Sequence, residues 1–417
     1  MEAEQRLSEP PRPPVTYRSV LGSRNVPQLL LSASLSRLAH GMLIFVVVLY
    51  AIDEFNSAVI AGLGGFFLTF PGFFVSPVAG AVLDRFGALR AVAFDMVASA
   101  IFMIAFVTLA VSEALTPTLF CIMLGLLSVT RPMTDGGIRT LFPQFVPDEA
   151  FDRANALDLS SYSVIDVGAP LVAGILFAWG GANPTLAVVA GMYLLAAASL
   201  SLLRGAGSPQ VRESAPGTLL RSAWEGIVYL VRHATLRGLA VSYSLFQVTG
   251  GMLIIIVPVA VTEWVTDGGE PGAYVGVIWA VVGLCGGLGA LAAGRIVTSG
   301  SERRVMGLTL VLGAFAVFPF SALGSLVALL AGLAVFGLLE GMVNVSLLSL
   351  RQRRTPPDWL GRIMTVSISV NLVGYPIGTA LGGALVTTAG PGTALAVAAA
   401  ITLVSALCVR LLIPREA

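Results

Sequence analysis

The chain is a succession of long apolar runs divided by short stretches of glycine, proline and charge. A helix crossing a bilayer needs about 20 mostly apolar residues. In hydrocarbon the backbone must satisfy its own polar groups, which leaves helices or closed barrels as the only spanning elements. Runs of the helical length occupy 27–51, 57–80, 91–111, 117–142, 158–180, 184–204, 236–262, 272–297, 304–322, 325–350, 360–387 and 391–413. With 56% hydrophobic and 11% charged residues, the chain lies far from the roughly 25% charged composition of soluble domains. An all-α integral membrane protein of twelve spans is expected.

Arginine placement tests that count. If the N-terminus is inside, the inside segments are the tail, 84–90, 143–157, 204–237, 295–304, 351–362 and the C-terminal end, and they hold 21 of the 24 basic residues. The outside loops hold none, only acids such as Asp53, Glu54, Glu113, Glu263, Asp267 and Glu270. Basic residues collect on the cytoplasmic side, so both termini are expected there. The other three arginines, Arg37, Arg131 and Arg139, fall within spans.

The longest inside segment follows the sixth span. It gives a cytoplasmic tail at 1–26, a six-helix half at 27–204, a linker at 205–237 and a second six-helix half at 238–417. Within the linker, residues 218–237 place Leu219, Leu220, Ala223, Ile227, Leu230 and Val231 at helical spacing opposite Arg221, Glu225 and Arg232. That pattern suits an amphipathic helix on the inner membrane face. The halves also echo each other: Gly294 to Arg304 follows span eight as Gly80 to Arg90 follows span two, keeping a glycine and the terminal arginines but losing the central acid. Repeated halves are a transporter trait.

Several functions are excluded. A net charge of +1 lacks the clustered basic excess that nucleic acid demands. Cys121, Cys285 and Cys408 each sit alone in an apolar run and do not have the spacing of a metal site or disulfide framework. Gly286-Gly287-Leu288-Gly289 lacks the strand a nucleotide loop requires. The polar N-terminus, with Pro10, Pro11, Pro13 and Pro14, is not a secretory signal. No nucleophile or metal cluster points to an enzyme.

The motif Gly80-x-x-x-Asp84-Arg85-x-Gly87-x-x-Arg90, placed after the second span, resembles the loop signature of the major facilitator superfamily. Gly168-Ala169-Pro170-Leu171-Val172-Ala173-Gly174 in span five is similar in part to the element typical of its antiporters. Phe142 to Pro147 with Ala154 to Leu157, Trp224 to Leu230 with Leu236-Arg237, and Gly361-Arg362-Ile363-Met364 resemble one bacterial branch. That branch holds the drug and siderophore exporters related to the enterobactin exporter. The resemblance implies a multi-pass protein of the bacterial inner membrane, working as a monomer without a cofactor and driven by the proton gradient. Its implied substrates are lipophilic or amphipathic small molecules. Its implied gate is formed by Gly80, Asp84, Arg85, Gly87 and Arg90, with Arg362 facing Asp84, and by Gly168 and Pro170 in span five; Asp95, one turn into span three and close after Arg90, is expected to complete the charge network of that loop.

In that family's fold, spans one, four, seven and ten line a central cavity, and here they carry Arg37 and His40, Arg131 and Asp135, Gln247, and Glu340 and Asn344. Intramembrane ionisable groups are costly and mark function by default. Arg131, Asp135 and Arg139 share one helix stripe, with Asp135 about 10 Å and Arg131 about 17 Å from the inner end. Asp166 lies about 12 Å into span five, so Asp135, Asp166 or both are open as partners of Arg131. Asp135, Glu340 and Asp166 are the candidates for proton coupling. The alternative for each is a fixed structural ion pair.

Arg37, His40, Arg131, Gln247, Asn344 and Asn371 are the substrate-site candidates. Two readings stay open for Arg37, an anionic head group or an acid on a neighbouring span. For His40 they are coupling or a hydrogen bond to backbone. Phe66, Phe67, Phe70, Phe73 and Phe74 face either lipid or an apolar substrate. The sequence points to a proton-coupled exporter. A narrow-specificity siderophore or lipid-like anion exporter and a transport-inactive sensor are the other readings.

Overall fold

A computed structural model of the chain describes residues 16–22, 25–146, 151–203, 218–265, 270–296, 300–318 and 324–414. Among these the chain is helical throughout, and no strand occurs. The long helices are α1 (Val26–Phe55), α2 (Ala58–Phe86), α3 (Ala88–Val111), α4 (Pro117–Phe145), α5 (Phe151–Gly180) and α6 (Ala182–Ser201). After the linker helix Thr218–Arg232 come α7 (Ala234–Trp264), α8 (Pro271–Ile296), α9 (Glu302–Val317), α10 (Leu326–Arg353), α11 (Pro357–Leu372) and α12 (Gly374–Leu412).

Ten stretches among the described residues are long and apolar enough to cross a membrane. One of them runs from Val366 to Leu412, 47 residues; it takes in the end of α11 and all of α12, and α12 is itself two helices broken at Gly390, where φ is 79°. The expected span at 360–387 is thus shared between α11 and the first part of α12, and α9 is shorter than the run at 304–322. At its other end α5 begins two turns before the expected 158, so the polar stretch ahead of it is already helical.

Several breaks between helices fall at glycines with positive φ. Gly87 ends α2 and starts α3 at φ 84°, and Gly300 before α9 takes φ 89°. A residue with a Cβ is strained at such values. A positive-φ glycine therefore stands in each of the two loops that echo each other in sequence. At the other end of α2, the Ser57 hydroxyl accepts from the Ile60 N–H at 3.3 Å, satisfying one free donor of the first turn.

The neighbours of α1–α6 repeat in α7–α12. In the first set α2 packs on α4, α3 on α4 and α6, and α1 on α5 and α6. In the second, α8 packs on α10, α9 on α10 and α12, and α7 on α11 and α12. The sets meet through α2 with α12 and α5 with α8. Both meetings are glycine crossings near the arginine-poor ends. A Cβ on Gly62 would lie 2.5 Å from the Thr379 carbonyl oxygen and 3.1 Å from Gly383. One on Gly174 would lie 2.6 Å from the Gly272 carbonyl oxygen and 2.8 Å from Gly276. Small residues let backbones approach this closely where lipid supplies no hydrophobic drive.

The linker helix docks instead of lying free. Tyr229 stacks on Trp359 of α11 with ring centroids 4.5 Å apart, and Leu230 packs in one cluster with Ile363. Trp224 and Val231 stay exposed on its other side.

Candidate functional site

A cavity of about 390 Å³ lies between the two sets, on the arginine-rich side of the crossings. α1 and α4 supply His40, Arg131 and Asp135 to its wall, α2 supplies Phe73, and α12 supplies Tyr375 and Pro376. Hydrocarbon offers these charged groups no solvation, so they are accommodated against one another, against hydroxyls and carbonyls such as those of Ser36, or against water in the cavity.

Arg131 is the hub. Its Nη2 lies 3.0 Å from Asp135 Oδ1 and its Nε donates to Asp135 Oδ2 at 3.3 Å, a two-pronged pair one helical turn apart. Its Nη1 reaches the Ser36 carbonyl at 3.5 Å and hydroxyl at 3.4 Å, which ties α4 to α1. Tyr193 of α6 and Asp95 of α3 complete its electrostatic surroundings. Of the two partners open to Arg131, Asp135 holds it here; its carboxylate is 56% exposed, against 16% for the arginine, so the acid meets the cavity.

Asp95 was expected to complete the charged loop after Gly80. It is buried instead, accepts from Ser99 at 3.4 Å and lies beside Thr130 and Thr134 of α4. Among the described residues no ion pair joins it to Arg85 or Arg90, which are exposed. The reason is helical phase: Asp95 lies five residues after Arg90, on the face of α3 that packs against α4. The Arg85 guanidinium sits 5.5 Å from the centre of the Phe86 ring. The side chains of Asp84 and Arg362, and any description of Gly80 beyond its helical backbone, lie outside the described residues, and the expected latch with them.

Arg37 faces away from the cavity. It is 6% exposed and forms a bidentate pair with Asp158 of α5 at 2.5 and 3.2 Å. It also donates to Ser161 at 3.2 Å and lies 3.8 Å over the Tyr162 ring. An acid on a neighbouring helix is thus its partner. Asp158 was missed because it opens span five, 121 residues away, where it looks like a solvated end.

The second set contributes a polar group built around α10. The Tyr243 hydroxyl donates to Asn344 Oδ1 at 2.6 Å. Glu340 lies within electrostatic reach of Tyr243 and Tyr375, and of Asp166 on α5 from the other set. Tyr375 therefore touches both the cavity and the surroundings of Glu340. Neither tyrosine was singled out by sequence; the Gly374-Tyr375-Pro376 break was the available signal.

Gln247 is half-buried on α7, with its Cβ against Gly374. Asn371 is 3% exposed, its Oδ1 has no partner among the described residues, and it is not on the cavity wall. Gly168 stands in open space, while the Pro170 carbonyl approaches Gly276, so the span-five motif lies at the α5–α8 crossing. Of the span-two phenylalanines, Phe73 lines the cavity while Phe74 is 64% exposed outward. Among the described residues no group of three or more His, Cys, Asp or Glu side chains is placed to hold a metal.

The chain is 42% identical over 405 residues to "Uncharacterized MFS-type transporter y4rN" of Sinorhizobium fredii, covering 97% of this chain and 98% of that one. It is 28% identical over 250 residues to "Enterobactin exporter EntS" of Shigella boydii, covering 58% and 56%. In fold it is similar to the crystal structure of the nucleoside transporter NupG, with a TM-score of 0.76 over 94% of this chain and 99% of that one at 14% identity. A POT family transporter in complex with 5-aminolevulinic acid gives a TM-score of 0.73 over 96% and 99% at 11% identity. The family model for the Major Facilitator Superfamily matches residues 29–372 and 239–417. From its apolar helices, its repeated packing and these matches, the chain is a multi-pass inner-membrane transporter, not an enzyme, and belongs to the Major Facilitator Superfamily.

Proposed function

We propose that the protein exports amphipathic small molecules in exchange for protons by alternating access. It does so as a monomer with twelve spans, in two six-helix halves at 27–204 and 238–417 joined by a linker at 205–237. Both termini are cytoplasmic, and the proton gradient is its only energy source.

The observation that carries this reading is a cavity between the two sets with ionisable groups on its wall, together with Asp166 and Glu340, one from each set, within electrostatic reach of one another. Arg131, Asp135 and His40 stand on one wall of the cavity and Tyr375 on the other, with Glu340 within electrostatic reach of Tyr375. Asp166 and Glu340 come from opposite sets and repel when both are charged. A proton taken up by either removes that repulsion, so proton binding favours one arrangement of the halves over the other. Asp135, exposed to the cavity, can lose its hold on Arg131 by the same means. Outward direction is supported by the relatives named as exporters.

Reconstituted protein in vesicles carrying a pH gradient tests the reading. Asp135→Asn, Asp166→Asn and Glu340→Gln are compared with the parent for pH-driven movement and for substrate exchange without a gradient. At least one variant should lose the first and keep the second. Undiminished pH-driven export in all three removes the coupling proposal.

Arg131 on the cavity wall also favours a second reading, a narrow exporter of a siderophore or lipid-like anion. A panel in which lipophilic cations are not moved while an anionic chelator is, with that movement lost in Arg131→Gln, would select it.

A further inference from the structure

The loop before α9 echoes the one before α3 but lacks its central acid, and the arginines it retains, Arg303 and Arg304, take no part in the central cavity. They stand where two concavities meet. One is a groove of about 590 Å³ between α9 and α12, floored by Gly307, Leu308, Val311, Leu403, Ala406 and Leu407. The other is a smaller hollow of about 230 Å³ at the helix ends, bordered by Gly300, Glu302 and Arg354. Arg303 and Arg304 border both, and Arg410 borders the groove.

These arginines differ in what they hold. Arg303 donates to the carbonyls of Val409 at 3.4 Å and Arg410 at 2.5 Å, closing the last turn of α12 across the seam. Arg304 and Arg410 are exposed, and among the described residues neither has a carboxylate partner. The acid at the rim does not offset them: Glu302 is 1% exposed, paired with Arg353 at 3.0 Å and accepting from the Gly300 N–H at 2.8 Å. Two guanidinium groups therefore stand at the mouth of an apolar groove.

We propose that the α9–α12 seam binds an anionic phospholipid of the leaflet at the arginine-rich ends. Arg304 and Arg410 hold its phosphate, and an acyl chain lies along the groove below them. Guanidinium groups suit phosphate because their donors match two oxygens at once. From Arg304 to Val311 and from Leu403 to Arg410 the groove follows each helix for about 10 Å, far enough to take the upper part of a chain. Gly307 keeps its floor open: a Cβ there would already meet Val409 at 3.7 Å, and a longer side chain would project into the groove. Leu308, Leu407 and Leu411 are 56%, 51% and 71% exposed, so the surrounding face is lipid-facing.

Delipidated full-length protein, titrated in detergent with phosphatidylglycerol or phosphatidylcholine of matched chains and read by native mass spectrometry, tests the site. The parent should retain phosphatidylglycerol in clear preference, and excess inorganic phosphate should not displace it. Arg304→Gln with Arg410→Gln should weaken that binding roughly ten- to thirtyfold, since each basic group near an anionic lipid counts for a comparable share. Arg304→Lys with Arg410→Lys should keep much of it. Gly307→Leu, with every charge in place, should weaken it by blocking the groove. Equal retention of the two lipids by the parent overturns the proposal without recourse to any variant. So does unchanged binding in the double Gln variant, or displacement by inorganic phosphate, which would mark a site for a free anion.

Discussion

Asp158→Asn should destabilise the first set of helices while leaving the cavity wall in place. Arg37 and Asp158 are 6% and 13% exposed and joined by two hydrogen bonds at 2.5 and 3.2 Å. Arginine does not give up its proton in proteins, so the substitution leaves a buried cation without a counter-charge, held only by the neutral amide oxygen introduced at position 158, Ser161 and the Tyr162 ring. Removing one member of a buried pair costs about 3–5 kcal/mol. The Tyr162 contact persists and offsets some of this, by about 0.5–2 kcal/mol, which leaves a loss near the lower bound, about 3 kcal/mol. At roughly 2–4 °C per kcal/mol for a unit the size of α1–α6, the apparent Tm should fall by about 6–12 °C. Heating detergent-solubilised protein and following the monodisperse fraction by fluorescence-detected size exclusion measures it. Arg37→Met with Asp158→Leu should recover most of the loss, because apolar replacements of similar size leave no unpaired charge. A Tm within a degree or two of the parent for Asp158→Asn, together with a raised KM, would refute this and return Arg37 to the substrate.

Three further outcomes are expected. Gly62→Val places a Cβ 2.5 Å from the Thr379 carbonyl oxygen, so the α2–α12 crossing cannot close. A cysteine introduced as His40→Cys, with Cys121, Cys285 and Cys408 replaced, should then become reactive to an impermeant maleimide added from the arginine-poor side; unchanged protection would count against the crossing as the seal. Asn344→Leu removes the acceptor of the half-buried Tyr243 hydroxyl, now held at 2.6 Å, at a cost of about 0.5–1.5 kcal/mol. Adding Tyr243→Phe should restore the Tm, and failure to do so would show the pair to be incidental. Trp359→Ala removes the ring on which Tyr229 stacks at 4.5 Å. Aromatic pairs contribute about 0.5–1.5 kcal/mol, so amide exchange across Thr218–Arg232 should quicken roughly two- to tenfold by deuterium mass spectrometry, and an unchanged rate would argue against docking.

The helices were legible because hydrocarbon imposes both a length and an apolar composition on anything that crosses it. The ionisable groups were legible one by one for the same reason: Arg131, Asp135 and Glu340 interrupt runs that otherwise avoid charge. Their partners were legible only within one helix, where the i, i+4 spacing of Arg131 and Asp135 fixes a shared face. The Arg37–Asp158 pair spans 121 residues and depends on how α1 lies against α5, which no local pattern encodes. Asp95 was assigned to the loop by nearness in sequence, whereas the turn at Gly87 and the phase of α3 direct it to α4. Tyr243 and Tyr375 escaped notice because a tyrosine in an apolar run looks like packing until its hydroxyl is placed.

The paired glycine crossings bear on how readily the molecule can change shape. Side chains that interlock must lift out of one another's grooves before two helices can slide, and each such step is a barrier. At Gly62 with Gly383 and at Gly174 with Gly276 the closest facing surfaces are bare backbone, with Thr379 against Gly65 and Phe177 against Gly272 as the neighbouring side chains, so few groups have to unlock. The two crossings work like a matched pair of plain bearings, one under each flank of the cavity. If the two sets turn against each other as proposed, friction would be lowest at these two points, and the choice of position would fall to the charged groups between them.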